Sequence, residues 1–191
     1  MINNLRLESD RLILRVLDES YSEKILDFFI RNSDFLNKWE PIKDEEFYTV
    51  EFQEQRLIND LKLMNEDRSL RLWMFKKDDK EFNNIIGSVA LNEIVRGCFH
   101  SCFLGYRIDE QNANNGYMTE AVKRLKEYAF NDLKLHRIEA NIMPHNIASL
   151  KVVEKNGFVD EGLSKKYLKI NGRWEDHIHM VILNEDMEAD Q

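Results

Sequence analysis

Residues 111–116 read Gln-Asn-Ala-Asn-Asn-Gly, an amide-rich run that ends in a lone glycine. An amphipathic segment starts directly behind it, with Met118, Ala121, Val122, Leu125 and Ala129 recurring at helical spacing. A helix N-terminus leaves its first amides unpaired and carries partial positive charge. A loop of short side chains lets those amides approach a phosphate without obstruction. Gly116 removes the side chain where approach is closest. Asn114 and Asn115 tolerate positive φ better than most non-glycine residues. The plainer alternative is a polar turn that only starts a helix. The six residues alone leave both readings open.

Two further groups invite a metal reading and fail it. Cys98, His100 and Cys102 alternate along an expected strand and would share one face. At about 3.4 Å per residue the outer two lie roughly 13 Å apart along that strand. One zinc with bonds of about 2.0–2.3 Å cannot reach both. His177 and His179 also share a strand face, but no third ligand is evident, and ordinary strand histidines are the expectation. No metal is therefore expected.

The elements that must position these residues follow from the patterning. Residues 11–17 read as a strand. Asp18 is placed to cap a helix over residues 22–32, and a longer helix is expected over roughly residues 45–65. Residues 70–77, 84–94 and 98–108 read as three strands. The helix behind Gly116 follows, then a short strand over 137–143. A helix over 146–157 ends at Gly157, where a left-handed cap is expected. Two final strands, 158–170 and 173–183, join through the turn Asn171-Gly172. Strands in succession, then strand–helix–strand–helix–strand, indicate an α/β fold with a mixed sheet. The unit 98–143 is the clear crossover, so its two strands should be parallel. Ligands in such sheets favour the carboxyl ends of strands beside the following helix, which returns attention to residues 111–116.

At 191 residues, 43% hydrophobic and 32% charged, the chain fits one globular domain spanning 1–191. No apolar run reaches the length of a membrane span, and the first twelve residues carry no apolar signal segment. Two cysteines make no disulfide framework, so a reducing cytoplasm is the expected location. A formal net charge of −8 argues against nucleic acid as a direct partner.

Gln111 to Gly116 resembles the acyl-CoA pyrophosphate loop of the GNAT superfamily of N-acetyltransferases, whose pattern is Gln/Arg-x-x-Gly-x-Gly/Ala. Asn114 stands at the first glycine. The likeness runs from "DRLILR" to "DHIHMVIL". The fragments "FHSCFLGYRID", "HRIEANIMPHNIAS", "NGFVDEG" and "YLKINGRW" are similar to the branch that acetylates the N-terminal residue of ribosomal proteins. This resemblance implies a central mixed sheet, splayed open and flanked by helices, with acetyl-CoA as cosubstrate. It implies pantetheine pairing with backbone at Tyr106, Arg107 and Ile108. The pyrophosphate would meet Gln111, Asn112, Ala113, Asn114, Asn115, Gly116 and the following Tyr117. Asn146 and Ser149 match positions facing the pantetheine and thioester. Asn146 is also a natural helix N-cap, and the two roles are compatible. Trp39 and Trp174 match segments beside the acceptor groove, with Asp176 read as structural.

The chemistry so implied needs a neutral amine, a donor for the developing oxyanion and a proton for the leaving thiolate. Ser149 is the expected source of that proton, directly or through water. Many members use a tyrosine acid on this helix, but Val153 stands at that position. Tyr106 and Tyr128 are the substitutes to consider. Many carry a glutamate on the strand before the loop, but this chain has Phe103 there. Glu93 is the remaining candidate base, with a solvated strand-end residue as the plainer reading. A weak base suits an α-amine. With a pKa of about 7.7–8.0 it is roughly 14% neutral at pH 7, against about 0.04% for lysine at about 10.4. The expected acceptor is therefore a protein N-terminus, ribosomal by resemblance. A small amine such as a polyamine or aminoglycoside is the alternative acceptor, and a CoA-binding regulatory module without catalysis is the alternative class.

Overall fold

A computed structural model describes residues 5–187. Eight strands form one mixed sheet: β1 (Arg6–Glu8), β2 (Leu12–Arg15), β3 (Leu70–Lys76), β4 (Gly87–Val95), β5 (Ser101–Ile108), β6 (Arg137–Ile142), β7 (Val159–Ile170) and β8 (Arg173–Leu183). Their order is β1-β2-β3-β4-β5-β6-β8-β7. Every pairing is antiparallel except β5 with β6. The helices are α1 (Ser22–Arg31), α2 (Ser33–Leu36), α3 (Val50–Asn65), α4 (Tyr117–Asn131) and α5 (Ile147–Glu154).

Alternation along the strands makes two cores, one per sheet face. On one face Met118, Ala121, Val122, Leu125 and Ala129 of α4 pack on Leu72, Val89, Leu104, Ile138 and Met180. These are the five residues whose spacing predicts the helical face, and all are buried. On the other face Ile25, Phe28 and Phe29 of α1 and Leu57 of α3 pack on Trp73 and Phe75.

The feature that shapes the site lies between β5 and β6. Only three residue pairs join them: Ser101 with Arg137, Cys102 with Ile138 and Phe103 with Glu139. Beyond that point β5 stays with β4 up to Ile108, while β6 stays with β8 up to Ile142. The sheet is therefore split, as the resemblance implies. A β-bulge between Asn92 and Val95 sits beside the parting point. Such bulges bend a strand and increase its twist. Strand-edge N–H and C=O groups of residues 104–108 and 140–142 face the opening and suit a ligand that hydrogen-bonds like a strand.

Three expectations need correction. The strand expected over 98–108 begins only at Ser101. Gly97 and His100 both have positive φ, 71° and 41°, so residues 98–100 turn rather than extend. Cys98, His100 and Cys102 therefore do not share a strand face. The helix expected over 45–65 starts at Val50, because Thr49 is extended (ψ 154°) and caps it by accepting from Phe52 N. Asp18 caps a 3-10 turn, Glu19–Tyr21, that precedes α1. The final hairpin turns at Asn171 and Gly172, both at positive φ (47° and 78°), as the dipeptide predicts.

Candidate active site

A cleft of about 450 Å³ runs through the split in the sheet. Its walls include Trp39, Tyr106, Arg107, Ile108, Asn112, Ala113, Asn114, Gly116, Tyr117, Asn146 and Ser149. Residues expected to act on one ligand from four separate chain segments are thus brought together. Gln111 instead faces a neighbouring polar hollow with Arg31, Lys76 and Asp109. Asn115 is exposed and its Nδ2 donates to Ala113 O at 3.1 Å.

The loop before α4 is built from both ends. Glu110–Asn112 form a 3-10 turn, and Ala113 is extended. Asn114 (φ 62°) and Gly116 (φ 77°) are both left-handed, so Asn114 adopts the conformation that a glycine there would supply. Asp109, buried, accepts from Asn112 Nδ2 at 2.5 Å and pairs with Arg31 Nε at 3.4 Å. Asn32 at the end of α1 is also buried, and its Oδ1 accepts from Glu110 N at 2.9 Å. Arg11 holds the far side. Its Nε pairs with Glu120 at 2.7 Å, its NH1 donates to Asn115 O at 3.1 Å, and its guanidinium lies 4.6 Å from the Tyr117 ring. Burial opposes the charge on Glu120, but Ser9 and Arg11 outweigh it and hold the carboxyl below its usual range. Free helix amides flanked by a fixed arginine suit an anionic ligand. Asn32, Asp109 and Arg11 escape the sequence reading, since their partners are 78 to 109 residues away.

Across the split, Asn146 caps α5, its Oδ1 accepting from Ser149 N at 3.2 Å. This fixes the first turn and aims Ser149. Ser149 Oγ donates to the Tyr106 hydroxyl at 3.0 Å, and that hydroxyl donates to Ser149 O, also at 3.0 Å. Tyr106 thus reaches Ser149 from the adjoining strand, while Val153 is wholly buried in the core. Burial pushes the Tyr106 phenol up to about 12, against a smaller opposing effect of Ser149. At neutral pH it is a hydrogen-bond donor and never a base.

The mouth on the other sheet face carries Trp39, which lies 5.6 Å from the His145 ring. Beside it Glu40 bonds Arg107 Nε and pairs with Lys43 at 2.7 Å. Burial raises the cost of charge on Glu40, but the two cations prevail and hold its carboxyl below the usual range. Asn141 and His177 complete this end of the cleft.

Besides Gln111 and Asn115, two expected residues stand outside the cleft lining. Glu93 is exposed on the β4 bulge at φ 50°. Trp174 is 60% exposed on β8, opposite Lys169. Asp176 accepts from Lys166 N at 2.8 Å and so supports a kink in β7. Burial pushes the Cys102 thiol up to about 12, which removes it as a nucleophile. No group of three or more His, Cys, Asp or Glu that could hold a metal occurs among the described residues. None of their helices is long and apolar enough to cross a membrane.

Comparison with known proteins gives concordant results. Residues 11–159 match the family model described as acetyltransferase (GNAT) domain. The chain is 39% identical over 182 residues to the probable N-acetyltransferase YjcK of Bacillus subtilis, covering 95% of this chain and 99% of that protein. It is 34% identical over 185 residues to the [ribosomal protein uS5]-alanine N-acetyltransferase of Escherichia coli, covering 97% and 94%. Among solved structures, the ribosomal-protein-S5-alanine acetyltransferase of Vibrio fischeri superposes with a TM-score of 0.90 at 35% identity, covering 96% of this chain and 98% of that one.

Proposed function

Since this chain belongs to the GNAT family of acetyltransferases, we propose that its acceptor is the N-terminal α-amine of a protein, a ribosomal protein in the cytoplasm by analogy with its relatives. The chain is an N-acetyltransferase that uses acetyl-CoA. The observation that carries the acceptor assignment is the cleft itself, which passes through the sheet. Donor-side groups, Tyr106, Ser149 and the loop before α4, lie toward one face. Trp39, Arg107 and Asn141 lie toward the other, so an amine arrives opposite the thioester.

The donor side suits acetyl-CoA by its own geometry. The amides of Asn112 and Ala113 are spent within the 3-10 turn, on Asp109 O and Glu110 O, so those of residues 114–117, with Arg11 beside them, offer an anion the partial and full charge it needs. The open strand edge at Tyr106 to Ile108 suits the amide-bearing pantetheine arm. When bound, acetyl-CoA supplies an activated acetyl carbon and a thiolate leaving group. Ser149 then serves the thioester end: its hydroxyl, which otherwise donates to Tyr106, turns to the sulfur, while the Tyr106 hydroxyl keeps hold of Ser149 O. A phenol at about 12 will not end as an anion beside a thiol of about 8.5. The hydroxyl pair therefore stabilises the sulfur charge by hydrogen bonding, and water delivers the net proton.

Acceptor choice follows from the amine. An α-amine is already partly neutral at pH 7, whereas lysine is almost wholly protonated. The cleft holds one carboxylate, Glu40, and Arg107 and Lys43 occupy it. A site without a free carboxylate base favours the α-amine.

The test is one peptide in two forms, each containing an internal lysine. One form has a free N-terminal alanine and the other has that terminus blocked. Mass spectrometry is expected to find acetyl on the alanine and little on lysine. Comparable lysine acetylation in the blocked form refutes the assignment. Inactivity on both forms with rapid turnover of spermidine or an aminoglycoside replaces the protein acceptor by a small amine.

A further inference from the structure

We infer that His177 and Asn141 form the amine-receiving pair of the cleft, with Asn141 Oδ1 holding an N–H of the acceptor and His177 Nε2 taking the proton released as the amide forms. The inference rests on the acetyltransferase reading but not on which amine is used.

Three observations meet at this pair. Asn141 Oδ1 is buried with no hydrogen-bond partner among the described residues. Its Nδ2 faces the Tyr167 hydroxyl at 3.4 Å, so the amide is oriented with its oxygen unmatched. A buried acceptor left without a donor costs about 1–3 kcal/mol, and an amine N–H entering the cleft would satisfy it.

His177 is only 3% exposed, yet it lines the same cleft. Its Nδ1 meets Glu175 O at 3.0 Å. A carbonyl can only accept, so Nδ1 carries the hydrogen and the lone pair of the neutral ring is on Nε2. Nε2 has no partner among the described residues. The two side chains are neighbours by register. Asn141 on β6 pairs with His179 on β8, and His177 is the next β8 residue on that sheet face. The Tyr167 ring, 5.7 Å from His177, spans both.

Burial of the ring also favours the base role, against the opposing charges of Glu175 and Asp176. Burial lowers the His177 pKa most, a carbonyl bond and Glu175 act against it, and His179 lowers it further. The groups that face His177 are Tyr167 from β7 and Glu175, Asp176 and His179 from its own strand. His179 is itself engaged by Glu139 at 2.6 Å and Ser164 at 2.7 Å. His177 thus stays neutral at pH 7.

The step balances. The acceptor ammonium loses one proton to solvent before attack. Its nitrogen then bonds the acetyl carbon, the carbon–sulfur bond breaks, and the second proton passes to His177 Nε2 and onward to solvent. The CoA sulfur gains a proton from water. Net, one proton is released per acetyl transferred.

The experiment is His177→Gln, with Asn141→Leu as a second variant. Wild type, assayed by thiol release with the alanine-ended peptide, should show log(kcat/KM) falling with a slope of about two below the histidine's pKa, from amine and base together. His177→Gln should fall with a slope of about one, with kcat lower by about 10²–10⁴-fold and acetyl-CoA Kd unchanged. Asn141→Leu should raise the acceptor KM at least about tenfold, consistent with a lost hydrogen bond to a charged or charge-developing group, without changing the slope. A His177→Gln enzyme of wild-type rate and slope overturns the inference. Should that variant not fold, an unchanged acceptor KM in Asn141→Leu overturns it. If the wild type prefers spermidine to the peptide, the same slopes are read with spermidine. Only the acceptor assignment then fails.

Discussion

Ser149→Ala and Tyr106→Phe separate a hydrogen-bond donor from a true acid at the leaving sulfur. In the proposed site Ser149 Oγ serves the thioester end, and it donates to the Tyr106 hydroxyl at 3.0 Å. If Ser149 donates to a sulfur that becomes anionic, its removal forfeits a hydrogen bond to a charge, worth about 1.5–3 kcal/mol. At about 1.36 kcal/mol per tenfold, kcat should fall roughly 10- to 150-fold. A full general acid would cost about 10²–10⁴-fold. Tyr106 acts only through Ser149, by a neutral bond worth about 1 kcal/mol, so Tyr106→Phe should cost about fivefold. The double variant should be close to Ser149→Ala, because the Tyr106 bond that survives, to the carbonyl of residue 149, no longer supports a donor at the sulfur. Stopped thiol release at saturating acetyl-CoA measures all three, with calorimetry confirming unchanged acetyl-CoA binding. Additive losses, or a Tyr106→Phe loss larger than that of Ser149→Ala, refute the arrangement, because Tyr106 would then touch the reacting atoms itself.

Other outcomes follow from neighbouring geometry. Gly116→Asp should abolish CoA binding by calorimetry in a folded protein. A side chain there is strained at φ 77°, and its Cβ would stand 3.4 Å from the Arg11 guanidinium, so the carboxylate would pair with that cation in place of a phosphate. Glu40→Gln should destabilise by about 3–5 kcal/mol in denaturant melts, since Arg107 and Lys43 lose their shared partner in a half-buried site. Because the Glu40 pKa is lowered on folding, its contribution is present above the unfolded carboxylate pKa and is lost as pH falls through the folded value. The variant should therefore show a shallower loss of stability in acid. Dialysis against a chelator should leave turnover intact, since no ligand cluster exists among the described residues. A loss that zinc restores would contradict this.

The sequence carries local geometry well. Asn114 and Asn115 read as tolerant of positive φ before α4; Asn114 adopts it and Asn115 does not, while Gly116 beside them does. The five apolar residues of α4 predict their buried face. Where local signals compete, they mislead. The segment 98–100 alternates like a strand, but Gly97 starts a turn that carries through His100. Long-range contacts leave no local mark. Tyr106 and Ser149 are 43 residues apart, and nothing in either segment announces that their hydroxyls meet. His177 looks like any strand histidine until the fold places it in the cleft wall with one nitrogen committed to Glu175. The split in the sheet is likewise legible only through family resemblance, because it is set by where two strands stop pairing.

That split has a consequence for the lifetime of the protein. Three residue pairs are the whole seam between β5 and β6, and the Tyr106–Ser149 contact is a tie across the opening. A ligand wedged there bonds both half-sheets and is absent from the unfolded chain, so it acts as a keystone. Occupancy at a hundred times Kd adds about 2.7 kcal/mol to stability, close to a hundredfold fewer unfolded molecules for proteases to capture. Acetyl-CoA supply would then set how long the enzyme persists as well as how fast it works.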